Sequence, residues 1–242
     1  MGDVERAALY SLLPAALIVA GSAVPLVYRP RPPVRSAAQH FAAGVIFAVA
    51  TVELLPDVLH DNEPYASALA FTLGVALMLG LRWLSGRLDP GREDGRERTP
   101  ASALLVPIGI DLLIDGLLLG IGFAAGVAIG RLLALALSLE GLSLGVVTAL
   151  TLRQSWPARR ASLASAAVGL VIPPGAIVGA AVLSGFSTRA LSLALAFGLA
   201  ALLYLVTEEL LVEAHEVPEQ PWITAMFFTG FVLFLMLGML GA

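Results

Sequence analysis

Apolar residues run along this chain in eight stretches, at about 8–28, 38–60, 66–85, 102–126, 130–151, 162–184, 189–213 and 222–240, with short polar breaks between them. Each stretch is close to the ~20 residues that an α-helix needs to cross ~30 Å of hydrocarbon. In lipid a helix satisfies its own backbone and a lone strand does not, so the pattern predicts eight transmembrane helices. The breaks leave no space for a soluble domain, and the whole chain, 1–242, reads as a single transmembrane domain. Its longest polar break, 86–100, is rich in Gly, Arg, Asp and Glu and is expected as a charged cytoplasmic loop.

Composition agrees with the pattern. The chain is 58% hydrophobic and 13% charged, and its mean hydropathy is +0.90, far outside the soluble range. The lipid bilayer is therefore its first partner. The start, Met1-Gly2-Asp3-Val4-Glu5-Arg6, lacks a basic n-region, so the first helix is expected to be retained. With no cysteine, disulfides and thiolate ligands are excluded. A net charge of -4 gives no sign of a nucleic-acid partner. All 14 basic residues are arginine, as a GC-rich, prokaryotic genome would encode.

The arginines predict an orientation. Eleven fall after the first, third and fifth runs (Arg29, Arg31, Arg35; Arg82, Arg87, Arg92, Arg96, Arg98; Arg153, Arg159, Arg160), against Arg6, Arg131 and Arg189 on the other side. The richer side belongs in the cytoplasm and both termini outside. The break after the seventh run is cytoplasmic on this count yet holds no arginine. A repeat links the two ends of the chain. Thr51-Val52-Glu53-Leu54-Leu55-Pro56-Asp57 in the second run matches Thr207-Glu208-Glu209-Leu210-Leu211-Val212-Glu213 in the seventh, and each following run carries a Phe-x-x-Gly step, Phe71 to Gly74 and Phe227 to Gly230. Helices 1–3 and 6–8 thus read as two copies of one unit in opposite orientation, a pattern found in transporters with a site near the midplane.

Between the copies lies the chemistry. Asp115-Gly116-Leu117-Leu118-Leu119-Gly120 in the fourth run recurs as Glu140-Gly141-Leu142-Ser143-Leu144-Gly145 in the fifth, so an acid followed by glycine sits near the middle of each helix. Asp111 stands one turn before Asp115 on the same face. An intramembrane acid costs at least ~2.5–3.5 kcal/mol on insertion scales and normally faces a cavity, a partner or an ion path. An antiparallel pair of helices brings Asp115 and Glu140 to one depth, where three like charges require a cation or bound protons. Hydrogen-bonded neutral acids in an ordinary helix contact are the other reading. Further polar groups extend both ways: Glu53, Asp57, His60, Asp61 and Glu63 on an outer path, and Glu208, Glu209, Glu213, His215 and Glu216 on an inner one. Acidic vestibules concentrate cations, although the outermost of these residues equally fit solvated helix ends. His40 is expected at the headgroup interface rather than as a ligand. Pro173-Pro174-Gly175 interrupts the sixth run, either to line a cavity or to give flexibility.

These motifs together resemble the ZIP family of divalent-metal transporters along nearly the whole chain. The family's His-Asn-x-x-Asp/Glu-Gly falls on Asp111 to Gly116. Its His/Gln-Glu/Asp-x-x-Glu-Gly falls on Ala136 to Gly141, its Glu-Pro-x-Gly on Ile172 to Gly175, and its His-Glu-x-Ile-Pro-Glu on Glu208 to Glu213. Gly21-Ser22-Ala23-Val24-Pro25 and Leu54-Leu55-Pro56-Asp57 are similar to family segments as well. The resemblance implies a 3+2+3 helix arrangement around the central helix 4/5 hairpin, extracellular termini, a homodimer and elevator-like movement of helices 1, 4, 5 and 6. It also implies transport of zinc, manganese or iron, with cadmium or cobalt as surrogates, and no tightly bound cofactor.

Five donor positions of the family pattern are changed in helices 4 to 6. Asp111 and Ala136 stand where the family has histidine, and Leu112, Leu137 and Ile172 replace its oxygen donors, so a two-metal centre is not expected. What remains is one carboxylate site, Asp111, Asp115 and Glu140. Zinc commonly recruits imidazole or thiolate, whereas carboxylate and water suit Mn²⁺, Mg²⁺ or Ca²⁺ better; family likeness points back to zinc, iron or manganese. The expected function is divalent-cation transport, import by family likeness, through a plasma-membrane protein. The alternative keeps the fold and moves protons or another cation, or serves as a non-transporting membrane partner. An enzyme is not expected, because Ser138 and Ser143 have no histidine at their depth to act as a base.

Overall fold

The computed structural model describes residues 1–60, 63–88, 104–218 and 220–239. Among these it is all helical, and eight helices are long and apolar enough to cross a membrane: α1 (Asp3–Val27), α2 (Pro32–His60), α3 (Pro64–Leu84), α4 (Leu105–Ala125), α5 (Val127–Leu152), α6 (Ala158–Leu183), α7 (Arg189–Ala214) and α8 (Pro221–Met239). The protein is a polytopic membrane protein. Helix α2 starts at Pro32, six residues before the apolar run, because proline at a first helical position gives up no hydrogen bond. The α3 backbone stays helical to Leu88, so residues 86–88 of the expected charged loop are helix; the rest of that loop, like Asp61, lies outside the described residues.

Three helices are broken internally. Helix α2 passes through a π turn at Val49–Leu54 and α7 through another at Leu205–Leu210, 156 residues later. The same offset relates Thr51 to Thr207, Glu53 to Glu209 and Gly74 to Gly230. Each wide turn carries a threonine bonded to its own helix. Thr51 Oγ1 donates to the Phe47 carbonyl at 2.7 Å, and Thr207 Oγ1 to the Leu203 carbonyl at 2.9 Å, each taking up an acceptor four residues back. In α6 a 3₁₀ turn, Gly169–Val171, precedes Pro173 and Pro174. Neither proline has an N–H to return to the preceding turn.

Packing follows the small residues. Without a hydrophobic drive between helices in lipid, close backbone approach decides which helices pair. Helix α4 packs on α6 reciprocally: a Cβ on Gly116 or Gly120 would strike the Ile172 or Ala176 carbonyl, and one on Gly175 or Gly179 the Leu113 or Leu117 carbonyl. Gly145 of α5 and Gly21 of α1 meet each other's helix in the same way, at the Ile18 and Leu142 carbonyls. Ser22 of α1, Ser165 of α6 and the Gly145 carbonyl of α5 are joined by buried hydrogen bonds of 2.8 and 3.1 Å. Helices α1, α4, α5 and α6 therefore form one bundle, while α2 pairs with α8 and α3 with α7. Those two outer pairs carry the repeat in their contacts: Gly74 rests on the Phe197 carbonyl, and Gly230 on the carbonyl of Phe41, the residue 156 positions before Phe197.

Candidate metal centre

The glycines that pin α4 to α6 and α5 to α1 leave the acids beside them to face one another across the hairpin. One carboxylate oxygen from each of Asp111, Asp115 and Glu140 lies within 4.8 Å of the other two. Asp115 and Glu140 are each 3% exposed, and Asp111 is half-buried. A fourth acid enters from the π turn of α7. The Glu209 carboxyl is in side-chain reach of Asp111, and it stands close enough to act electrostatically on Asp115 and Glu140. Glu140 Oε2 is buried with no hydrogen-bond partner.

Such a cluster is unstable as bare anions. Two unit charges at 4.8 Å repel by about 3.5 kcal/mol at an effective dielectric of about 20. A buried acceptor with no donor costs a further 1–3 kcal/mol, in order of magnitude. A cation answers both. Two oxygens on one ion at ~2.1–2.4 Å lie at most ~4.8 Å apart, so the observed spacing is one that a hard cation bridges. The donors are all oxygen, the set that suits Mn²⁺, Mg²⁺ or Ca²⁺ by ligand type.

A cavity of about 280 Å³ leads to the acids between α3, α4 and α7, from Arg82 and Pro107 near the arginine-rich end to Asp111 and Ile114, with Glu208 and Glu209 in its wall. Towards the other end, buried Leu118, Leu119, Phe123 and Leu133 fill the space, and Phe123 stacks on Tyr10 with ring centroids 5.1 Å apart. The cavity thus reaches Asp111 from the arginine-rich end. No α6 residue lines the cavity among the described residues, so the Pro173-Pro174 bend serves the close contact with α4.

The remaining predicted residues are dispersed. Glu53, the repeat mate of Glu209, lies against α8 at Gly238, while Asp57 and His60 are exposed at the far end of α2. Beyond them Glu63 pairs with Arg189 at 3.2 Å. Glu213 borders a separate cavity of about 30 Å³ beside Arg35 and Gln39. His215 is exposed and meets the ring of His40. His40 itself departs from the interfacial placement expected for it: it is 3% exposed, buried where the start of α2 packs on the end of α7. Arg82 was not foreseen as a site residue. It pairs with Glu208 at 2.6 Å and donates to Tyr204 Oη at 3.4 Å in the cavity wall. Its signal was the one that marked the acids, a charge inside an apolar run.

At the positions where the ZIP pattern holds further oxygen donors, Leu112 and Ile172 pack with Ile18 in a dry cluster, and Leu137 belongs to the main core. The bundle is that of a polytopic membrane protein, and three of its acids lie together beside a cavity. No protein-family model matches the chain. Zinc transporter GufA of Myxococcus xanthus is 33% identical to it over 208 residues, which cover 84% of this chain and 72% of that protein. The chain belongs to the family of that transporter.

Proposed function

We propose that the protein is a ZIP-type carrier of divalent metal cations across the plasma membrane of a prokaryote, not an enzyme, with Asp111, Asp115 and Glu140 as the transported ion's ligands. One observation carries the reading: three carboxylates within 4.8 Å of one another, one with an unsatisfied buried oxygen, at the end of a cavity in a relative of a zinc transporter. Zinc, manganese and iron are the candidate substrates. The relative's name favours zinc and the all-oxygen donor set favours manganese, which a competition between the two ions in one assay decides. The dry cluster of Ile18, Leu112 and Ile172 supports a single ion rather than two.

Glu53, Asp57 and His60 form the entry side in this proposal, and Glu208, Glu209, Glu213 and His215 the exit side. The arginine count supports a cytoplasmic cavity end with both termini outside, and family likeness supports import. The glycine-locked bundle of α1, α4, α5 and α6 is the unit that moves, elevator-like, against α2, α3, α7 and α8 in a homodimer. Glu209, whose carboxyl stands beside that of Asp111, takes up a proton as the ion leaves and so couples release to proton uptake. The same carboxyl pair favours the second reading, a relative of this fold that moves protons alone. Metal uptake into proteoliposomes separates the two. Asp115→Ala and Glu140→Ala should abolish it, and uptake at the parental rate in both variants would rule the site out.

A further inference from the structure

His40 lies two turns into α2 and is 3% exposed. Its Nδ1 is 2.9 Å from the Ser36 carbonyl oxygen, four residues back, so the proton sits on Nδ1 and Nε2 is left as an acceptor. That Nε2 is buried and has no hydrogen-bond partner. An unsatisfied buried acceptor is costly, and an imidazole held by Nδ1–H to a backbone carbonyl is the state in which histidine ligates metals. The ring it meets is also a histidine. His215, one residue past α7, has its centroid 5.0 Å away at an interplanar angle of 63°, and its Nδ1 bonds the Leu211 carbonyl, again four residues back. Two imidazoles, one from each half of the repeat, are thus fixed in the same tautomer by the same local device. Ser36 Oγ donates to the Ala214 carbonyl at 2.7 Å and ties the two helix ends together around them.

We propose that His40 and His215 form a second metal site at the arginine-rich end, for divalent ions that favour imidazole nitrogen, such as Zn²⁺, Co²⁺, Ni²⁺ and Cu²⁺. Its chemistry differs from that of the acidic pocket, where every donor is oxygen. Neighbouring Glu213 is engaged by Gln39 and Arg35, so water completes the coordination, admitted by the exposed His215. As a station for ions leaving the pocket, the site rests on the transport reading; its ability to bind does not.

The test uses the full-length, tag-free protein carrying Asp115→Ala and Glu140→Ala, in which the acidic pocket is disabled. Zn²⁺ equilibrium dialysis should find about one ion bound, at least tenfold more weakly after His215→Ala or His40→Gln and unchanged after replacement of the exposed Gln154 by alanine. Spin-echo spectra of Cu²⁺ in the same protein should show imidazole nitrogen from two rings, falling to one in either variant. Zinc retained equally after His215→Ala, or copper without imidazole modulation, overturns the proposal. His215 is exposed, so its variant decides the matter even where replacing buried His40 impairs folding. Histidine-dependent binding together with no metal uptake by the unsubstituted protein would leave this site standing and sink the transport reading; uptake by the unsubstituted protein with no histidine-dependent binding would do the reverse.

Discussion

Replacing Asp115 by asparagine should have opposite effects with and without metal. An Asp115 oxygen lies within 4.8 Å of an oxygen on each of Asp111 and Glu140. At that distance each ionised pair repels by about 3.5 kcal/mol at an effective dielectric of about 20, so the substitution relieves up to about 7 kcal/mol. Any proton held at the cluster reduces that figure; a net gain of about 1–3 kcal/mol is expected. For a chain of this size each kcal/mol moves the melting midpoint by roughly 2–4 °C. In chelator, Asp115→Asn in nanodiscs should therefore melt above the parent by at least about 2 °C. With metal the order reverses: the parent gains about 2.7 kcal/mol at a hundredfold excess over Kd, and the variant gains nothing. A variant that melts at or below the parent in chelator, or keeps the metal-dependent rise, would refute the idea of a strained anionic cluster awaiting a cation.

Three further outcomes follow from the geometry. Gly120→Leu drives a side chain into the Ala176 carbonyl with Ala180 N 2.5 Å away, at a cost of 1–3 kcal/mol or more by order of magnitude. Gly109→Ala meets nothing nearer than Val168 Cγ1 at 3.7 Å, so thermal melts should show a large loss for the first and almost none for the second. Arg82→Ala breaks a pair whose side chains are 56% and 47% exposed, worth at most about 1 kcal/mol, yet it removes the positive charge from the cavity wall. Apparent affinity for divalent cations from that side should rise several-fold at low salt and converge on the parent's at high salt; an unchanged salt dependence would take Arg82 out of the ion's route. Thr51→Val and Thr207→Val each remove a hydroxyl bond to a π-turn carbonyl, costing about 1 kcal/mol apiece. Only Thr207→Val should also slow uptake, because only the α7 turn delivers its glutamate to the acids.

The sequence showed the helices and the pocket for one reason: both are decided by where charge interrupts apolar runs. Asp111, Asp115 and Glu140 were legible because each is expensive in lipid unless met, and the repeated acid-glycine step put two of them at equal depth. Less was readable where a side chain's direction decides. Glu53 and Glu209 hold equivalent places in the repeat, and periodicity alone does not say that one turns to the acids and the other to Gly238. The π turns that set those directions leave only a threonine in the sequence, a residue common in membrane helices without one. His40 was misplaced because depth was taken for exposure; the contact of α2 with the end of α7 buries a residue whose sequence neighbours read as interfacial.

The two halves of the repeat have diverged in a way that matches where the cavity lies. Positions that touch backbone are kept: Phe41 and Phe197, Thr51 and Thr207, Gly74 and Gly230. Substituting these would misalign a helix contact or a wide turn in either half. Polar positions are kept only in part: Glu53 answers to Glu209, but Val52 answers to Glu208 and His60 to Glu216. The added acid falls on the copy that walls the cavity, next to Glu209 and facing Arg82. The repeat thus supplies a frame with two equivalent faces, and the extra acid makes them unequal: the α7 face carries Glu208 and Glu209 in the cavity wall, while the α2 face carries Glu53 alone at that level. Symmetry in the helix contacts and asymmetry in the lining are separable features of this chain, each written in a different set of residues.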